Sequence, residues 1–178
     1  MRGLEKLNYV RLAEALAQDG NLDQSYLSEI LKESDRDDSH FPALLIRDDV
    51  ISEWELTRIT SEHFGLPILF PMQYDLDPKV FQMAEDEFIL KNNILPLGRF
   101  GHIITVVMPV LSPFTVLEQI EKMLKAEVFP FVGPISENTQ ILMDYHHQRK
   151  DKAGELSGWE RMFDEIDATI EKDFMDSA

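Results

Sequence analysis

The 178-residue chain carries 33 acidic against 17 basic side chains, a net charge of −16, so nucleic acid and direct membrane insertion at an anionic surface are disfavoured by repulsion. The absence of cysteine excludes disulfide scaffolds, thiolate nucleophiles and thiolate metal sites, and fits a cytosolic protein. With 44% hydrophobic residues, the chain is long enough to bury a core as one domain or as two small ones. Met1 to Asp19 is charged and amphipathic without the apolar centre of a secretory signal. No run approaches eighteen apolar residues, so no membrane span is expected.

From Leu4 to Ala17, Leu4, Leu7, Leu12 and Leu16 recur at helical spacing, and Gly20 is a natural stop. Asp23 reads as the N-cap of a second helix carrying Tyr26, Leu27, Ile30 and Leu31, which breaks at the polar stretch Ser34 to Ser39. A third helix closes at Leu44-Leu45-Ile46. Ser52, with Glu55 three residues on, reads as a capping box for a fourth helix carrying Trp54, Leu56, Ile59 and Phe64. These helices form an internal repeat. Arg11 to Leu22, with Leu27 behind it, aligns with His40 to Ile51, followed by Leu56, and apolar positions coincide almost throughout. Two such helix pairs would bury their stripes against each other.

Glycine and proline in Phe64-Gly65-Leu66-Pro67 end the helical half. Ile68-Leu69-Phe70 suggests a short strand, and Asp77-Pro78 opens a helix expected to run to about Asn92. Ile94 to Leu97 and the β-branched run Ile103 to Met108 read as a hairpin through Gly98 to Gly101, with Pro96 marking the first strand as an edge and the second as the sheet centre. A helix after Ser112-Pro113 and a strand at Val128 to Val132 complete a strand–helix–strand crossover, which implies parallel pairing. A last helix of the sandwich spans Ser136 to about Gln148. The fold class is therefore α+β: a helical repeat bundle over residues 1–65, a small three-stranded α/β sandwich over 66–148, and a charged linker with an acidic amphipathic helix over 149–178. In that last segment Trp159, Phe163, Ile166 and Phe174 fall three or four apart, a stripe that either docks back on the domain or enters a partner groove.

Motifs for chemistry are missing. No G-x-x-x-x-G-K-S/T phosphate loop occurs, and Gly98-Arg99-Phe100-Gly101 is explained by a hairpin turn. His146 and His147 are adjacent and point to different helix faces. Asp35, Asp37, Asp38 and His40 lack a cation-ligand spacing, and Glu85-Asp86-Glu87 reads as a solvated helix face. No catalytic residue, metal site or cofactor is expected.

The order and spacing of Phe64-Gly65-Leu66-Pro67, Asp75-Leu76-Asp77-Pro78, Leu95-Pro96-Leu97-Gly98-Arg99, Ile104 to Met108, Glu127-Val128, and Ile141 with Tyr145 resemble a known family. It is the MshEN-type N-terminal domain of the type II secretion and type IV pilus assembly ATPases, and the resemblance covers about residues 9–147. It implies a non-catalytic domain that docks on the cytoplasmic domain of an inner-membrane platform protein, hence a cytoplasmic location with recruitment to that membrane. Some members bind cyclic di-GMP through two copies of R-L-G-x-x-L-V-x-x-G-L-I-x-x-x-x-L. On that resemblance Arg11, Leu12, Leu16, Gly20, Leu22, His40, Leu45 and Ile51 occupy ligand-binding positions. The stripe of Trp159, Phe163, Ile166 and Phe174 lies beyond it, and its aromatic residues set among charges make it, or else the helical half, the candidate partner surface. The first copy has Ala13 for the first glycine. The second has His40 for the arginine, Phe41 for the leucine, Pro42 for the first glycine and Asp49 for the second. A histidine lacks arginine's planar fork, proline removes a backbone N–H, and an aspartate repels phosphate. The second half-site therefore reads as degenerate.

Overall fold

The computed structural model describes residues 3–20 and 22–148; Trp159, Phe163, Ile166, Phe174 and the whole 149–178 segment lie outside them. The chain divides into two compact units, Met1–Ile141 and Leu142–Ala178. Among the described residues no helix is long and apolar enough to cross a membrane.

Four helices form the N-terminal half: α1 (Tyr9–Asp19), α2 (Gln24–Asp37), α3 (Phe41–Arg47) and α4 (Glu53–Phe64). α1 packs on α2 and α4, and α2 packs on α3. The repeat is visible in burial. Leu12 and Phe41, Leu16 and Leu45, Leu27 and Leu56, and Ile30 and Ile59 are each buried at equivalent positions. Asp23 and Ser52 cap α2 and α4 at equivalent points, accepting the N–H of Ser25 at 2.6 Å and of Glu55 at 3.1 Å. The two pairs share stripe and cap but not their packing: α1 lies against α2, whereas the helix neighbour of α3 is α2 rather than α4.

Several boundaries differ from the periodicity. The first helix starts at Tyr9, not Leu4, because Asn8 accepts the Arg11 N–H. Leu4–Lys6 is a separate 3₁₀ turn, and Leu7 is extended, its carbonyl taken by the Phe114 N–H at 2.8 Å. α2 runs through the polar stretch to Asp37 because Ser34 is buried and its hydroxyl donates to the Ser39 carbonyl, closing the helix end. The capping box at Ser52 is only half formed, since the Glu55 carboxylate binds Arg58 instead. Trp54 is not core; it is 53% exposed.

The expected single helix from Pro78 to Asn92 is two, α5 (Pro78–Met83) and α6 (Asp86–Asn92). Ala84 and Glu85 are extended between them, with Ala84 buried and the Glu85 N–H donated to Met123 Sδ at 3.2 Å. The break turns the chain so that both Phe81 and Ile89 reach the core.

The sheet has order β1-β2-β3. β1 (Leu95–Phe100) and β2 (Ile103–Pro109) form an antiparallel hairpin with a register shift between Pro96 and Gly98. The strand thus runs on through Gly98 and Phe100, leaving a tighter turn than expected. α7 (Phe114–Leu124) leads to β3 (Glu127–Gly133), which runs parallel to β2. β2 is the central strand, and Ile104, Val106, Val107 and Met108 are fully buried. The Ile68 stretch contributes one bridge to Val132 rather than a strand. A side chain at Gly133 would collide with Val107 and press on the Leu69 carbonyl, so glycine lets β3 close against both neighbours. Residues 135–148 are helical. Within this helix Asn138 is wholly buried and donates to the carbonyls of Asn93 at 2.9 Å and Val107 at 3.1 Å, tying the helix to the central strand.

Candidate functional site

The family-motif positions divide into packing residues and a few polar ones. Leu12, Leu16 and Leu45 are wholly buried, and Ile51 nearly so; they hold the helix pairs together and expose nothing to a ligand. Leu22 is half-buried. Gly20 closes α1 with φ of 80°, in the left-handed region where a side chain is strained. Its counterpart Asp49 also has positive φ, at 54°. The backbone of the repeat is therefore kept where its glycine is lost.

Arg11 lies on the exposed side of α1, in a shallow depression with Asn8, Val10, Glu14 and His63. Among the described residues its guanidinium has no ion-pair partner, so it is available to a ligand. The Glu14 carboxylate in the same depression weakens any attraction of a phosphate.

His40 is placed differently. It is the N-cap of α3, half-buried, and each ring nitrogen is engaged. Nε2 lies 2.8 Å from the Lys91 carbonyl and Nδ1 lies 3.2 Å from the Tyr9 hydroxyl. A carbonyl only accepts, so Nε2 carries the proton; in the neutral ring Nδ1 then accepts from the Tyr9 O–H. The imidazole thereby clamps α1 to α6. Burial pushes the Tyr9 phenol well above its ordinary pKa, keeping the donor protonated. The ring borders a cavity of about 220 Å³, below the ~300–1,000 Å³ of ordinary small-molecule sites. At its edge Lys91 pairs with Asp38 at 2.7 Å, which raises the lysine pKa and lowers that of the aspartate.

Near the second glycine position the polar groups are also occupied. Arg47 binds Asp48 at 2.8 Å and Glu33 at 2.9 Å, and the Tyr26 hydroxyl donates to Asp48. The Arg47 contact holds the Asp48 carboxyl below its usual range. Pro42 is buried in the first turn of α3 and offers no N–H. Thus Arg11 and His40, equivalent in sequence, do not converge on a common open pocket. Sequence reasoning missed Tyr9 and Lys91, the groups that immobilise His40. A main-chain carbonyl leaves no trace in residue identity, so only the aromatic hydroxyl could have been suspected.

The sequence matches the MshEN domain family over residues 64–151; Arg11, His40 and the other motif positions lie before that stretch. The type IV pilus assembly ATPase PilB of Myxococcus xanthus (strain DK1622) is 24% identical over 98 residues, covering 55% of this chain and 17% of PilB. The chain thus spans about a sixth of that relative. Among solved structures, MshE with cdg (cyclic di-GMP) superposes with a TM-score of 0.58 at 16% identity, covering 75% of this chain and 97% of that one. The N-terminal domain of XpsE superposes at 0.60 and 19% identity, covering 80% and 96%, and at 0.51 in a second crystal form. At such identities the structures establish a shared fold, and the sequence match carries the family. Over residues 64–151 this chain is an MshEN domain, of the kind that forms the N-terminal part of type II secretion and type IV pilus assembly ATPases.

Proposed function

We propose that the chain is a non-catalytic docking and regulatory domain that binds the cytoplasmic domain of an inner-membrane platform protein in a type II secretion or type IV pilus machine. In this reading it works in the cytoplasm and is drawn to the membrane through that partner. Residues 1–65 act as a helical subdomain, 66–148 as the α/β sandwich, and 149–178 as a linker with an acidic helix. The observation that carries it is the engagement of His40 by Tyr9 and the Lys91 carbonyl. At the position where the family motif carries an arginine for its ligand, this chain has a histidine whose two nitrogens serve the fold. A domain that keeps the scaffold but closes one of its two half-sites in this way is better suited to protein contact than to second-messenger sensing. The test is calorimetry of the full chain with the platform protein's cytoplasmic domain. Saturable binding is expected, and its absence would overturn the reading.

A second reading, a cyclic di-GMP receptor with one degenerate half-site, is favoured by the exposed Arg11, by Gly20 in the left-handed conformation and by the likeness to MshE. Calorimetry with cyclic di-GMP separates the two. Weak or no binding is expected, because one arginine must offset two phosphates and the surrounding carboxylates. Submicromolar binding abolished by Arg11→Ala and unaffected by His40→Ala would establish this reading instead.

A further inference from the structure

The exposed large apolar side chains are not scattered evenly. Trp54, at the start of α4, is 53% exposed and stacks on Phe70, with ring centroids 6.0 Å apart and planes 24° from parallel. Phe70 opens a 3₁₀ turn, Pro71–Gln73, which places Met72 at 60% exposure and is followed by Tyr74 at 56%. Carboxylates fix both pieces to the start of the helix over residues 135–148. Glu53 accepts the Ser136 N–H at 2.8 Å and its hydroxyl at 2.6 Å, while Glu137 accepts the Met72 N–H at 3.0 Å. The turn itself is held by the bridge of Leu69 to Val132 and by buried Pro71. Trp54, Phe70 and Met72 are thus presented together on a pinned platform.

The exposed faces of this platform are not part of the core, whose largest buried aromatics, Phe41 and Phe81, lie elsewhere. Exposed aromatic and methionine side chains held rigid lose little entropy on contact, which is the composition of a binding hot spot. The charge around them selects the occupant. From Ser52 to Asp77 the chain holds five carboxylates and a single arginine, a net of −4. Arg58 is shared by Glu55 and Glu62, Glu53 and Asp77 accept hydrogen bonds within the fold, and Glu137 adds a further carboxylate beside Met72. A second copy of this chain, at −16, and the acidic 155–178 segment, with eight acidic and two basic residues, would bring like charge to that rim. An anionic membrane would do the same. A basic segment with apolar side chains complements it.

Resting on the docking reading above, we infer that Trp54, Phe70, Met72 and Tyr74 form the docking surface, and that the partner meets it with an apolar segment flanked by lysine or arginine. The apolar centre supplies affinity, and the rim carboxylates orient the approach.

The experiment titrates the platform protein's cytoplasmic domain into the full chain and into Trp54→Ala, Met72→Glu, Asp75→Lys and Phe100→Ala variants, at low and high salt. Circular dichroism melts verify that each is folded. Trp54→Ala and Met72→Glu should each weaken binding by about tenfold or more. Asp75→Lys should weaken it less, and more at low salt than at high salt. Phe100→Ala, at a still more exposed aromatic on the hairpin, should bind as the parent does. If the parent binds and the Trp54 and Met72 variants bind equally well, this surface is wrong while docking stands. If the parent does not bind at all, the docking reading fails and takes this inference with it. Sedimentation showing a dimer of the chain that Met72→Glu dissociates would assign the surface to a second copy and overturn the partner proposed here.

Discussion

The two copies of the helical repeat bury the same positions and spend their polar ones in opposite ways. In the first, Arg11 stands in solvent without an ion-pair partner among the described residues, and a glycine makes the left-handed turn. In the second, His40 bridges two helices, Pro42 fills the first turn of α3, and Arg47 and Asp48 are tied to α2 through Glu33 and Tyr26. Apolar stripes tolerate drift only within the limits of volume, so they keep the copies alike. Polar positions pair with whichever neighbour lies within hydrogen-bond reach. The difference shows how one scaffold can hold an open face and a closed one.

The largest effect should come from what the copies share. Leu16→Ala and Leu45→Ala remove equivalent, wholly buried side chains, and each should cost about 2–5 kcal/mol. Urea melts of both variants measure it. A loss confined to one of them would break the structural equivalence of the repeat.

The polar residues should then separate the copies. His40→Ala leaves the Lys91 carbonyl and the Tyr9 hydroxyl without a partner and should cost about 1–3 kcal/mol. Arg11→Ala, at an exposed position without an ion pair among the described residues, should stay within about 0.5 kcal/mol. Equal costs in chemical denaturation would mean that His40 is not a structural clamp, and the case against the second half-site would weaken.

Much of this architecture is legible in the residues. The unbroken run Ile103 to Met108 could only be a covered strand. Pro96 and Pro130 fell on the two edge strands, and Asp23, Ser52 and Asp77 cap helices as their types suggest. The break between α5 and α6 was not legible, since Val80, Phe81, Ala84 and Phe88 fit one continuous helix. It is imposed by tertiary contacts at Ala84 and Glu85. Val110 adopts a left-handed φ of 62°, which a β-branched side chain disfavours, and nothing in its neighbours announces this. Buried Asn138 was also silent, because its partners are main-chain carbonyls. At the candidate site the motif positions could be aligned, but the clamp on His40 could not be foreseen. It depends on Tyr9 and Lys91, 31 and 51 residues away.

The turns offer a smaller and more pointed comparison. Gly20 and Asp49 share the left-handed conformation, yet only one is suited to it. Gly20→Ala should destabilise by about 1 kcal/mol. Asp49→Gly should instead stabilise by a few tenths to about 1 kcal/mol, since relief of the strained φ outweighs the added unfolded-state entropy. If Asp49→Gly destabilises, the aspartate has a structural task in that turn beyond filling a former glycine position.

The smallest effect should appear in the pH dependence, and its sign follows from the ion pairs around the second copy. The contact with Arg47 lowers the Asp48 pKa, and the contact with Lys91 lowers that of Asp38. A carboxylate depressed in the folded state contributes stability that is fully present above its unfolded value of about 3.9 and is lost as pH falls through the lower folded value. Tyr9 has the opposite sense. Burial raises its pKa, so its contribution is complete below about pH 10 and is lost as pH climbs above that. Thermal melts should therefore be flat from mildly acidic to mildly alkaline pH and fall on both sides. Asp38→Asn and Asp48→Asn should each slightly reduce the acid-side fall, because both pairs are solvent-exposed and screened. Tyr9→Phe should reduce only the alkaline fall. An acid limb unchanged in both asparagine variants would show that these pairs fix geometry around His40 and the α3 turn without contributing to stability.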